Sequence, residues 1–480
     1  MASHHRVLRG GRQGLGILRP VTDRGMLAAI VGLYVAAGVA LCVLYRDGYS
    51  QDAALHYLLA RDAGTRPATF VEMWPRPGFT LLYFLPSQLG YLPAKIFTVL
   101  LTATAAWQTV AAARALGLER PWLAAPFLLA SPVLFLLSTE TMTEPLFVLT
   151  LALALRLRFE GRVSLALAVA SLLPTLRPEG FPIGLVWGVV EIASEPRRFQ
   201  RVLWLCLGSL AWIAACWILT RDPLYVLHTW PWRTRSAPSP QSAWWLLRYL
   251  AVLPLAVNPF LLPFAIVGAA LAWRDRRRLP ILIALTPLVV HTVVSWLDLV
   301  FDAGSRSRFL ATVAPATALL TLRGWNATRR FPLPATAALF LLAFGFAFGA
   351  VDLSPTNRDW KAFRSALRDQ ERPERLVASQ LYPYAELDRS PGELSLLRGD
   401  RRGNLEKIRE YRTGTLVVWD RIFGPWYFLI EAHDFEIAGF RLLKREEHDL
   451  RPLVPWPGFL QDWTGRRHQT VWVFLKAPNK

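Results

Sequence analysis

The sequence predicts a polytopic α-helical membrane protein of about 11 transmembrane helices followed by a small C-terminal α/β domain on the extracytoplasmic side. Three observations carry this. Of the 480 residues 53% are hydrophobic and the mean hydropathy is +0.29, too apolar for an ordinary soluble domain. The apolar residues come in blocks bounded by Arg clusters and Pro or Gly breaks, where a large soluble core would scatter them at amphipathic spacing. The pattern then changes after Val351 to a polar stretch with alternating helical and strand character.

In chain order, residues 1–25 carry Arg6, Arg9, Arg12, Arg19 and Arg24 ahead of the first apolar run. No small-residue cleavage site follows, so this stretch is expected to remain as a cytoplasmic segment. Spans are expected near 26–45, 92–113, 122–138, 145–160, 163–176, 181–194, 202–220, 246–272, 280–297, 308–322 and 332–351. Alternate connections hold the positive charge: Arg114 and Arg120; Arg156, Arg158 and Arg162; Arg197, Arg198 and Arg201; Arg274 with Arg276, Arg277 and Arg278; Arg323, Arg329 and Arg330. By the positive-inside rule these loops and the N-terminus are cytoplasmic, and the protein is multi-pass with its tail outside. The formal charge of +19 is thereby a topology signal, and nucleic acid is not an expected partner. Arg in large excess over Lys and the lack of an endoplasmic-reticulum retrieval signal point to a bacterial inner (plasma) membrane. Cys42, Cys206 and Cys216 sit in apolar segments, as small hydrophobes rather than a disulfide or metal framework.

Within the transmembrane unit 26–351, the polar features gather on the outer face. They are the first outer loop 46–78, the Ser138–Glu144 turn, the Arg177–Gly180 turn, and the 221–245 and 298–308 loops. The tail 352–480 reads as helix 359–370, strand Arg375–Ser379, helix Leu405–Tyr411, strand Thr415–Asp420, and strands Phe440–Lys444 and Thr470–Lys476.

Several residues admit two readings from spacing alone. Asp52 and His56 share a helix face, either as part of a site or on a solvated amphipathic surface helix. Glu140 and Glu144 are site acids, or they flank and cap the helix starting near Pro145. Arg177 and Glu179 are site groups or a local ion pair. His56 has no second His at ligand spacing, so no metal centre is assigned. Trp230, Trp232, Arg233, Arg235, Trp244 and Trp245 form either an interfacial aromatic belt or the wall of a substrate groove.

Asp52 soon after the first span, the re-entry Trp74-Pro75-Arg76-Pro77-Gly78 and the segment FTLLYFLPSQLG at 79–90 resemble the GT-C superfamily of membrane-embedded glycosyltransferases. The likeness is to the aminoarabinose transferase and protein O-mannosyltransferase branch, which carries an Asp-Glu pair and then a Lys-Pro-Pro-like motif in this loop. Here the pair is Asp52-Ala53 and the motif Arg76-Pro77-Gly78, so the first acid is kept and the second lost. TETMTEPLFVLTLALALR at 139–156 resembles the second acidic site of the family, with Glu144 in the acidic position. LRPEG at 176–180 and SRSRFLATVAPATALL at 305–320 resemble its Arg-Pro-Glu-Gly turn and its Arg-led helix start. The resemblance covers roughly residues 26–350 in order.

That resemblance implies an inverting transfer of a sugar, a mannose-like hexose or a pentose, from a polyprenyl-phosphate donor to a lipid, glycan or protein acceptor at the outer membrane face. A carboxylate is the usual base for the attacking hydroxyl, which falls to Asp52 with Glu144 as second catalytic acid. A guanidinium suits the lipid phosphate, and Arg308, Arg177 and Arg306 are the candidates. His56, Arg76, Glu140 and Glu179 complete the candidate substrate-binding set. Some branches use a divalent cation, which Asp52 and Glu144 would hold here. Two rivals are a transporter or flippase of lipid-linked sugars, against which no internal symmetry of broken helices is found, and a non-catalytic assembly subunit.

Overall fold

The computed structural model describes residues 23–229, 244–297, 308–328, 332–354, 356–370, 373–387, 389–390, 401–455, 457 and 468–478. Helix α1 (Asp23–Leu44) leads into the first loop, which holds α2 (Gln51–Asp62) and α3 (Pro77–Gln88). Then come α4 (Tyr91–Ala115), α5 (Ala124–Leu129), α6 (Pro132–Ser138), α7 (Thr143–Phe159), α8 (Val163–Ala170), α9 (Leu173–Leu176) and α10 (Gly180–Ser194). A 3₁₀ segment, Pro196–Cys206, runs into α11 (Leu207–Thr220), with α12 (Tyr225–His228) beyond. The bundle closes with α13 (Trp244–Val257), α14 (Leu262–Arg274), α15 (Leu279–Trp296), α16 (Arg308–Ala311), α17 (Ala314–Ala327) and α18 (Leu333–Asp352).

Among the described residues five helices are long and apolar enough to cross a membrane, or seven if each of two bent pairs is one span; 163–176 and 180–194 are shorter apolar segments. The chain is an integral membrane protein. Two stretches expected as straight spans are broken: 122–138 bends by 74° between α5 and α6, and 246–272 by 100° between α13 and α14. Non-helical backbone at membrane depth needs polar partners inside the protein, and the two breaks supply them to each other. Asn258, held at a positive φ of 90°, donates Nδ2 to the carbonyls of Ala130 (2.8 Å) and Ala343 (2.9 Å). Ser131 Oγ donates to the Ala256 carbonyl at 2.5 Å.

Helices α14 and α17 meet backbone to backbone, which only small residues allow. A Cβ on Gly268 would fall 1.8 Å from the Leu320 carbonyl oxygen, and one on Gly324 1.9 Å from that of Phe264. One end of the bundle gathers the Arg-rich loops: Arg277 donates to the Leu116 carbonyl, Asn326 to that of Glu119, and Arg323 pairs with Asp275. The loops at the other end hold Asp52, Glu144, Arg177 and Arg308.

The tail has α19 (Thr356–Leu367), β1 (Leu376–Ala378), α20 (Tyr382–Glu386), α21 (Arg401–Arg409), β2 (Leu416–Asp420), α22 (Ala432–Ile437), β3 (Phe440–Asp449) and β4 (His468–Lys476). The sheet order is β1-β2-β4-β3, with β1 and β2 parallel and the other pairs antiparallel. The expected strands at 375–379, 415–420 and 470–476 are present, while the one expected at 440–444 extends to Asp449 across a bulge between Leu442 and Lys444. Alternation splits the sheet's two faces. Val377, Val417, Trp419 and Phe474 pack on Phe428 and Phe435, whereas Leu376, Ala378, Val418 and Val473 belong to an apolar core continuous with the helical bundle.

Candidate active site

Ser50 caps α2 by accepting from the Ala53 N–H, which sets Asp52 in the first helical turn, where the helix dipole favours an acid. The loop is not a solvated surface helix: Ala53, Ala54, His56, Tyr57, Leu58 and Ala60 are buried, because α2 packs on α3 and on the Thr139–Met142 turn. Asp52 remains at the open lip, one quarter exposed, with its Oδ2 2.5 Å from Arg308 Nη1.

From there a chain of charges runs inward. Arg308 Nε lies 4.0 Å from Glu144 Oε1, and Glu144, in the first turn of α7, is fully buried. Arg177 Nη1 lies 2.7 Å from the same carboxylate and donates to Thr143 Oγ1 at 2.9 Å. Its Nε and Nη2 donate to the two oxygens of Glu179 at 3.2 and 2.9 Å, a bidentate pair. His291 Nε2 stands 3.1 Å from Glu179 Oε1. The Phe309 ring lies 5.4 Å from both guanidinium carbons and stacks on the His291 ring at 4.4 Å. Arg177 and Glu179 are thus more than a local ion pair: the turn built by Pro178 and Gly180 aims them at two other helices.

Burial raises the Glu179 carboxyl, but Arg177 and His291 outweigh it and hold the group well below the usual carboxylate range. Burial likewise lowers the Arg177 guanidinium, and Glu144 with Glu179 overcome this and raise it. Arg76 sits behind the network with a positive φ of 67° and Nη1 donating to the Met73 carbonyl at 2.5 Å; burial, and repulsion by Arg177, push it down to about 9. Strained backbone of this kind clusters at functional sites. His56 is packed against Phe79 beneath Asp52, and burial, reinforced by the nearby arginines against the pull of Asp52, pushes its imidazole down to about 3.

The structure therefore brings Asp52, Glu144, Arg177, Glu179 and Arg308 into one network, with Arg76 and His56 against it. Glu140 takes a different place: it is buried, its carboxyl raised by burial, and it accepts a 2.5 Å hydrogen bond from Ser50 Oγ, at the base of α2. Arg306 and the stretch Trp230–Arg235 lie outside the described residues, as do the Trp244 and Trp245 side chains. His291 and Phe309 are site residues not expected from the sequence; an ionisable residue inside an apolar span was the available signal for His291. A divalent cation does not fit this donor set. Asp52 and Glu144 each face a guanidinium, and among the described residues no three or more His, Cys, Asp or Glu are grouped so that they could hold a metal ion.

No protein-family model matches the sequence, and no curated protein does. The fold, however, is that of the GT-C membrane glycosyltransferases. It matches the crystal structure of ArnT from Cupriavidus metallidurans bound to undecaprenyl phosphate with a TM-score of 0.58 at 12% identity, over 93% of this chain and 98% of that one. The arabinofuranosyltransferase AftD from mycobacteria matches with a TM-score of 0.45 at 14% identity, over 94% of this chain and 40% of that one.

Proposed function

We propose that the protein is a membrane glycosyltransferase that moves a sugar from a polyprenyl-phosphate donor to an acceptor hydroxyl, on the outer face of the plasma membrane. The observation that carries this reading is the convergence of Arg308, Arg177, Glu144 and Asp52 at one end of a GT-C-type bundle. A donor with a long isoprenoid tail keeps the tail in lipid and presents phosphate and sugar at such a helix end. The structural likeness to ArnT, solved with undecaprenyl phosphate, supports the same donor class.

In the step that follows, the acceptor oxygen attacks the anomeric carbon while Asp52 takes its proton. The bond from that carbon to the phosphate oxygen breaks, and its electron pair leaves with the lipid phosphate, inverting the anomeric centre. The departing phosphate gains negative charge, which a guanidinium stabilises with two parallel hydrogen bonds. Arg308 suits this because it stands at the lip, about one quarter exposed. Arg177, deeper and shared between two glutamates, holds Glu144 in place. Arg308 pairs with Asp52 in the resting protein, so a phosphate that engages Arg308 also releases the base. Donor binding before acceptor binding follows.

The test is transfer by purified full-length protein from radiolabelled polyprenyl-phosphate hexose or pentose to a membrane-extract acceptor, comparing wild type with Asp52→Asn. Label in a new product with wild type alone supports the enzyme and its base. Equal transfer by Asp52→Asn removes Asp52 as base. Donor left intact by both proteins, with labelled donor instead crossing the bilayer of reconstituted vesicles, replaces the transferase by the flippase reading.

A further inference from the structure

The tail contacts the loop that carries Asp52 at several points. Arg364 Nη1 of α19 pairs with Asp47 at 2.6 Å, and the Tyr382 ring of α20 meets Tyr49 edge-on with centroids 5.1 Å apart. Arg61 near the end of α2 donates to the Arg389 carbonyl at 3.4 Å, and Arg66 to Ser390 Oγ at 3.2 Å. One contact falls directly beside the candidate base: the Leu381 N–H donates to the side-chain carbonyl of Gln51, Oε1, at 2.9 Å.

That donor is mounted on the rigid carboxyl edge of the sheet. Past β1 the Ser379 N–H continues the ladder to the Val418 carbonyl at 3.0 Å, and Ser379 Oγ accepts from the Asp420 N–H at 2.9 Å. Gln380 Nε2 donates to the buried Asp420 carboxylate, which also accepts from Gln469 Nε2 and from the N–H groups of Ile422, Phe423 and Gly424. Asp420 thereby fixes the two residues ahead of Leu381. On the opposite side of α2, Ser50 is held by Glu140 at 2.5 Å, and Thr141 Oγ1 donates to the Ala53 carbonyl at 2.7 Å. The first turn of α2 is gripped between the membrane bundle and the tail.

We infer that the C-terminal α/β unit is a positioning element for the reaction: through Leu381 and Gln51 it sets the first turn of α2, and with it the place of Asp52 against Arg308. Gln51 is a positioning residue, acting through Asp52 without touching substrate. The inference rests on the assignment of Asp52 as base for its effect on turnover, while the grip itself stands apart from that assignment.

Two substitutions in the full-length protein separate this role from mere packing. Gln51→Leu keeps the bulk and removes the acceptor, whereas Gln51→Glu keeps an oxygen that accepts from the Leu381 N–H. A lost intramolecular hydrogen bond corresponds to an opening equilibrium changed by about three- to tenfold. Hydrogen exchange of the 51–57 amides is expected to quicken by that factor in Gln51→Leu and to stay at the wild-type rate in Gln51→Glu. Turnover number, read at saturating donor, should fall by a similar factor in Gln51→Leu alone. Unchanged exchange in Gln51→Leu overturns the grip. Faster exchange with wild-type turnover overturns the positioning role, as does a loss confined to KM. If wild type transfers no sugar from any donor offered, the transferase reading fails and exchange alone decides whether the tail holds α2.

Discussion

Replacing Arg177 by methionine is expected to be the most destabilising single change in the site. Its guanidinium lies 2.7 Å from Glu144 and 2.9 Å from Glu179, whose side chains are 0% and 2% exposed. At an effective dielectric of about 20, each contact contributes roughly 6 kcal/mol of gross attraction, most of which offsets the cost of taking these charges out of water. Removing the cation deletes the attraction and leaves the cost. Glu144 is then left with Arg308 Nε at 4.0 Å, and Glu179 with His291. Stranding a buried charge in this way costs about 3–5 kcal/mol.

The assay is unfolding of the purified protein in mixed micelles titrated with dodecyl sulfate and followed by tryptophan fluorescence. The decisive comparison is between Arg177→Met and the triple variant Arg177→Met, Glu144→Gln, Glu179→Gln. If stranded charge causes the loss, the triple variant is more stable than the single one, although it carries two further changes. The single variant should also gain stability as the pH falls, since burial without Arg177 raises the Glu179 carboxyl and protonation then neutralises it. A loss below about 1 kcal/mol in Arg177→Met, in the range of exposed ion pairs, refutes the reasoning. So does a triple variant less stable than the single.

Arg308→Gln should weaken binding of polyprenyl phosphate by about 10- to 150-fold, the range for a lost hydrogen bond to a charged group, as titration calorimetry in detergent would read; an unchanged Kd removes Arg308 from the phosphate site. His56 bears on acid stability. Its folded pKa is depressed, so its contribution is fully present above the unfolded value near 6.5 and is lost as the pH falls through about 3. Unfolding titrations across that window should slope by about 1.4 kcal/mol per pH unit more in wild type than in His56→Gln, and equal slopes would contradict the buried neutral imidazole. Gly268→Ala and Gly324→Ala each place a methyl within 2 Å of a carbonyl oxygen of the facing helix. Each should cost about 1–3 kcal/mol or more in the same unfolding assay, and a variant as stable as wild type would show that α14 and α17 do not meet at these glycines.

How far the sequence reaches into this molecule depends on the range of the physics involved. Span positions and the polar character of the loops follow from local composition, and the main departures, the bends after Ala130 and Val257, are stabilised by partners more than 80 residues apart. The motif residues Asp52, Glu144, Arg177 and Arg308 were legible because a charged group at the end of an apolar helix is costly unless it has a use or a partner. What local pattern does not carry is the identity of the partner. Glu140 and Glu144 stand four apart on one turn, yet one braces Ser50 and the other joins the arginines, a division decided by α2 and α9 rather than by the turn itself. His291 lies in an otherwise apolar span, and the glutamate that gives it a role is 112 positions earlier. Gln51 looks like an ordinary helix-start residue until the edge of a sheet more than 300 residues later supplies the N–H it accepts from. These brace residues share one property: each meets its partner only after two separate elements have packed. Substitutions there should therefore shift the geometry of the network before they shift its charge, so a variant such as Gln51→Leu belongs in the same assays as Asp52→Asn.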